Sequence, residues 1–179
     1  MRSVTIVLSV LLIFYNFQSL AQPSEKRNKI LEHLNTEQFE EARLLSIHAL
    51  IDDDKNADLY YNLGISSMSL SRLEEASFAM EEAVSLTGKS LATVDLQLSL
   101  AKLYLLQGEH ASAIQLYNNI LLLDRANAKA YFGRALASER LGDVISHCKD
   151  LRKSASLGNE QALVHVVGHC DRNNSVVFE

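Results

Sequence analysis

Ala42, Ala76 and Ala113 stand 34 and 37 residues apart, and the next step of 34 lands on His147. A repeat of this length encodes one supersecondary unit that cannot bury its apolar face alone, so successive copies must stack into a solenoid. Within each copy the apolar residues recur at helical spacing. Leu59, Tyr60, Leu63 and Gly64 form one stripe, and Leu73, Ala76, Met80, Ala83 and Val84 form a second after a polar break at 69–72. Two amphipathic helices joined by a short turn make a helical hairpin. The chain has no Trp, one Pro and seven Gly, too few breakers for a turn-rich β fold.

The plan recurs downstream. Leu98, Leu100, Ala101 and Tyr104 precede a turn at 107–109, and Ala113, Ile114, Tyr117, Ile120 and Leu121 follow it. Tyr131, Ala135 and Leu136 then precede a turn at 141–143, followed by Ile145, Cys148, Leu151 and Leu157. Gly108 and Gly142 fall at helix ends, where a left-handed residue satisfies the last carbonyls. The three extra residues of the longer step fall around Thr87 to Leu91. Gly64 and Ala76 are expected to face each other across a close helix contact. Upstream, Phe39 to Leu50 reads as a second helix with a thin partner over 26–34, and 160–170 reads as a closing helix.

At its start the chain carries Arg2, an uncharged apolar stretch of 14 residues from Val4 to Phe17, and Ser19-Leu20-Ala21. The stretch is shorter than the about 20 residues a spanning helix needs. The small residues two apart form a signal-peptidase site. The expectation is export, with cleavage before Gln22, a periplasmic or secreted product and no membrane insertion afterwards. No cysteine follows Ala21, which argues against a lipid anchor. The net charge of −5 becomes −6 once Arg2 is removed, which gives no reason to expect nucleic acid as a partner.

On Tyr60, Leu63, Gly64, Ala76 and Ala83, then Leu100, Tyr104, Gly108, Ala113, Tyr117 and Asp124, then Tyr131, Gly142, Asp143 and Leu157, the chain resembles the tetratricopeptide repeat family. The resemblance implies an all-α solenoid of stacked helical hairpins with a C-terminal capping helix. Together with the leader read above, it divides the chain into a signal peptide (1–21), a degenerate N-terminal repeat (22–56), repeats at 57–90, 91–127 and 128–159, a cap (160–172) and a loose tail (173–179). The chain departs from the family pattern at several points. No copy has the closing Pro, Ser67 replaces a Tyr, Met80 and Gln97 replace aromatics, Arg134 replaces a Leu and His147 a small residue. The last copy looks like a terminal variant of exported bacterial members, which implies a bacterial envelope origin.

The first helices of such repeats line a concave surface. Here they would present Tyr61, Ile65 and Met68, then Leu98, Lys102 and Leu105, then Lys129, Phe132 and Leu136. An apolar groove containing Met and aromatic side chains suits an extended or helical peptide. The same periodicity is also produced by residues that merely pack beneath neighbouring helices. Asn62 and Lys129 alone do not supply the Lys, Asn and Arg set of a carboxylate clamp.

Cys148 and Cys170 are the only cysteines. An oxidising compartment favours a disulfide that clips the closing helix to the last hairpin. Two small buried thiols are the other reading, and a metal site is the third. For the metal, His165 and His169 stand four apart on one helix face beside Cys170, but without the Glu that a metalloprotease signature requires. The expectation is no metal and no cofactor. No nucleophile elbow, phosphate loop or paired acidic motif stands out, so no enzyme is expected. The function expected is a protein- or peptide-binding scaffold. The alternative is a structural or self-associating assembly component that works through its convex face or through the tail at Ser175-Val176-Val177-Phe178. Oligomeric state and partner identity are not encoded in any motif found.

Overall fold

A computed structural model describes residues 24–88 and 93–170. The expected signal peptide, the tail and most of the connection around 87–91 lie outside the described residues. Within them there is no strand. Helix α1 spans residues 24–35. It is followed by α2 (Phe39–Asp52), α3 (Ala57–Ser69), α4 (Leu73–Thr87), α5 (Val94–Gln107), α6 (His110–Leu123), α7 (Ala128–Arg140), α8 (Val144–Ser156) and α9 (Glu160–His165). A π-turn over Val166–Cys170 continues α9.

The repeat is written most clearly into the turns. In each of the four hairpins one residue adopts a positive φ: Glu37 (58°), Ser71 (59°), Gly108 (81°) and Gly142 (77°). They are spaced like the alanines, and at each the following amide closes the same bond to the carbonyl five residues earlier. The donors are Gln38 to His33 (2.8 Å), Arg72 to Ser67 (2.9 Å), Glu109 to Tyr104 (2.8 Å) and Asp143 to Ser138 (2.9 Å). This is the Schellman ending, which satisfies carbonyls that the helix leaves open.

Turns between hairpins add side-chain caps, and the one before α9 also keeps the Schellman bond, from Asn159 to Ser154 (3.2 Å) with Gly158 at φ 91°. Asn56 and Asn127 cap α3 and α7 by accepting from the amides of Leu59 (3.2 Å) and Ala130 (2.9 Å). Each asparagine donates its own amide to an aspartate three residues earlier, Asp53 (2.8 Å) or Asp124 (3.0 Å). Asn159 caps α9 in the same way through Ala162 (3.1 Å).

From α2 to α9 each helix packs on the next in the chain, and α5 also touches α7, which places first helices in one layer and second helices in another. The core runs between hairpins as a series of clusters. Ile30 meets Ala49 and Leu59, and Ala76 and Met80 meet Leu100 and Leu103. Ala113, Tyr117 and Ile120 meet Ala130 and Ala137, while Ala135 and Leu151 meet Ala162 and Val166. Ala42, Ala76 and Ala113 are wholly buried, and His147 at the fourth mark is 3 % exposed.

Two glycines let the layers approach. A Cβ on Gly64 would lie 2.6 Å from Cγ of Met80 and 3.4 Å from the Ala76 carbonyl, so the expected facing of Gly64 and Ala76 includes Met80 as the tighter neighbour. On Gly133 a Cβ would overlap the ring of buried Tyr117.

Candidate functional site

The nine side chains anticipated for the binding face lie on α3, α5 and α7. Lys102 and Lys129 are exposed, and Tyr61, Ile65, Met68, Leu98, Leu105, Phe132 and Leu136 are half-buried. Several of them have one flank on the core. Ile65 and Met68 pack on the Ala76–Leu103 cluster, Leu98 and Leu105 on the Ala113–Ile120 cluster, and Phe132 on the Ala135–Leu151 cluster. The row is therefore rooted in the interior and still partly open to solvent, and both readings of the periodicity describe one side or the other of the same residues. Asn62, beside it, is buried.

At its C-terminal end the row meets a shallow cleft of about 360 Å³ lined by Phe132, Gln161, Val164 and His165. Phe132 meets the His165 ring edge-on at 5.5 Å, and His165 stacks on His169 at 5.7 Å. Gln161 and Val164 were not singled out from sequence. The signal for them was available, since α9 occupies the place of a fifth first helix and exposes whatever stands at its inner face.

Cys148 and Cys170 are joined by a disulfide with Cα atoms 5.6 Å apart, tying α8 to the turn after α9 across 22 residues. Closing a loop of that size restricts the unfolded chain by about 3 kcal/mol in the chain-entropy account. Beside the sulfurs lies His147, whose Nδ1 is 3.0 Å from the carbonyl oxygen of Ala135 and whose Nε2 is buried without a hydrogen-bond partner. Among the described residues, the group of metal-capable side chains brought together is His147, Cys148 and Cys170, with one donor atom of each within 4.8 Å of the others. His165 and His169 are not part of it.

Charged contacts hold the helices that carry the face. Arg134, in place of the leucine of the family pattern, donates from Nε and Nη2 to both oxygens of buried Asp150 (2.7 and 2.8 Å). Its Nη1 donates to Asn118 (2.6 Å), and the guanidinium lies 5.5 Å from the centre of the Tyr131 ring. Glu75 accepts from Arg43 (2.6 and 2.9 Å) and from the hydroxyl of Ser67 (2.8 Å). Hydrogen bonding to Arg43, helped by Ser67, holds the Glu75 carboxyl below its ordinary range against the opposing effect of burial. On α5, burial and the neighbouring Glu81 push the Tyr104 hydroxyl up to about 12.

No helix of the described residues is long and apolar enough to cross a membrane. No curated protein matches the chain in sequence. The model of the tetratricopeptide repeat matches residues 57–90. Among solved structures, YrrB, described as a TPR protein with an unusual peptide-binding site, superposes with a TM-score of 0.75 at 16% identity, over 93% of this chain and 86% of that one. MamA from Desulfovibrio magneticus RS-1 gives 0.74 at 15% identity, over 87% and 90%. A tetratricopeptide repeat protein from Parabacteroides merdae gives 0.73 at 22% identity, over 85% of this chain and 60% of its own length. These likenesses establish the fold. With a matched tetratricopeptide repeat at 57–90 and the same turn geometry in all four hairpins, the described residues have the fold of a tetratricopeptide repeat solenoid, all-α throughout.

Proposed function

We propose that the protein is a non-catalytic scaffold of the bacterial cell envelope that binds an extended or helical peptide segment along the face of α3, α5 and α7. The observation that carries this reading is that three consecutive first helices, α3, α5 and α7, each carry half-buried apolar side chains, from Tyr61 to Leu136, with Lys102 and Lys129 exposed among them. Side chains rooted in the core lose little freedom when a partner arrives, so the face is preorganised. The peptide-binding site announced for YrrB is consistent with the fold being used this way. Export rests on the leader ending at Ala21 and on two cysteines close enough to bond.

Photo-crosslinkers at Tyr61 and Phe132, compared with one at Phe78 on the opposite layer, test the face in the native cell. Adducts from the first two and none from Phe78 are expected. Adducts from Phe78 alone would overturn the choice of face. Mass spectrometry of the mature chain tests export, with Gln22 expected as the first residue.

A second reading, an assembly subunit acting through the outer layer, draws on apolar side chains exposed there: Ile51 on α2, Phe78 on α4, Leu122 on α6 and Ile145 on α8. Light scattering decides it. Self-association that Ile145→Asp abolishes would favour this reading over the groove.

A further inference from the structure

We propose that the Cys148–Cys170 pair, once reduced, forms with His147 a zinc site, so that the clip between α8 and the end of α9 exists in a covalent and a metal-coordinated form. Three observations converge on it. The two sulfurs and a ring nitrogen of His147 already lie within 4.8 Å of one another. Donors around tetrahedral zinc, at about 2.0 to 2.3 Å from the metal, stand about 3.3 to 3.8 Å apart, so the two sulfurs must part once their bond is broken, while a ring nitrogen of His147 already stands within reach of both.

The second observation concerns His147 alone. Its Nδ1 faces the Ala135 carbonyl at 3.0 Å, which can only accept, so that nitrogen carries the proton. Nε2 is left with an unshared lone pair, buried and without a partner. A histidine fixed by a backbone carbonyl on one nitrogen and bare on the other has the orientation of a metal ligand. The burial of an unmet acceptor otherwise goes uncompensated.

The third is position. His147 and Cys170 are buried and Cys148 is at least half-buried, so an ion held by the three would be largely shielded from bulk water. Cys170 sits at the end of the π-turn rather than inside a long helix, which allows its sulfur to withdraw. Two thiolates and one imidazole are a donor set that zinc accepts, and the fourth position is left for solvent.

The chemistry balances in two steps. A dithiol reductant attacks the disulfide and leaves as its own cyclic disulfide, delivering two electrons to the Cys148–Cys170 bond and two protons to the sulfurs. Zinc then displaces both thiol protons and takes the lone pair of His147 at Nε2. The net result is two protons freed per zinc bound.

The test uses the purified protein, oxidised or reduced with a phosphine that is then removed, titrated with Zn²⁺ against a chromophoric chelator. One zinc per reduced chain is expected, with two protons released as measured by calorimetry in two buffers, and none bound by the oxidised chain. Cobalt(II) in place of zinc should give sulfur-to-metal charge-transfer absorption. Cys148→Ser and His147→Gln should each weaken zinc binding by about tenfold or more. The glutamine can still donate to the Ala135 carbonyl, and circular dichroism melts separate loss of a ligand from loss of fold. A reduced wild-type chain that takes up no stoichiometric zinc overturns the proposal. So does a folded His147→Gln chain with undiminished affinity, which would remove His147 from the site.

Discussion

Glu75 shows at the residue scale how a polar side chain does what an apolar one does elsewhere in the repeat. It stands on α4 and binds Arg43 of α2 and Ser67 of α3, so one carboxylate joins three helices. Ser67 looks like a defect when the family pattern asks for a Tyr, and the structure gives it this partner. Because the folded state lowers the Glu75 pKa below 4.5, its contribution is present above that pH and is lost as pH falls through the folded value. Melting temperature should therefore drop on acidification below about pH 4.5, and Glu75→Gln should flatten that part of the profile.

Gly133 makes the opposite point, since its value is the absence of a side chain. A methyl group there overlaps the buried Tyr117 ring, whereas at Gly64 it meets Met80, a flexible chain. Gly133→Ala should destabilise the protein by about 1 to 3 kcal/mol in urea unfolding, as overpacking does, and Gly64→Ala by less.

At the scale of elements, the hairpin turns are one device used four times with unequal residues. Gly108 and Gly142 adopt the left-handed conformation without a Cβ penalty, while Ser71 and Glu37 adopt it with one. Ser71→Gly should accordingly raise stability, by up to about 1 kcal/mol, measured as a shift in melting temperature. Failure to do so would mean that the gain in unfolded-chain freedom offsets the relief of strain. The hairpin boundaries were legible because they are local: a turn residue, a period and a stripe sit within a dozen positions. The asparagine caps on α3 and α7 were equally local and were overlooked, although Asp53 and Asn56 repeat as Asp124 and Asn127.

For the molecule as a whole, each hairpin's core is completed by its neighbour, so damage at one junction is felt along the array. Leu100, 3 % exposed in the cluster with Ala76, Met80 and Leu103, sits at such a junction. Leu100→Ala should cost about 2 to 5 kcal/mol and lower the urea midpoint of the entire helical signal in one transition. A separate early transition confined to part of the signal would show that the hairpins on either side unfold independently.

The amino-acid sequence by itself determined the helices, their pairing into hairpins and the period at which they stack, because helical spacing and turn chemistry act between residues a few positions apart. What the tertiary structure alone decided is which polar side chains meet. Arg134 reaches Asp150, Arg43 reaches Glu75, and His147 reaches the Ala135 carbonyl while lying against a cysteine pair. Such contacts depend on the rotation of one helix against another, set by the packing of many side chains at once, and no local pattern records that angle. For the same reason the candidate face appeared in sequence as a stripe of ambiguous direction, and only packing showed those side chains to be rooted in the core on one flank and open on the other.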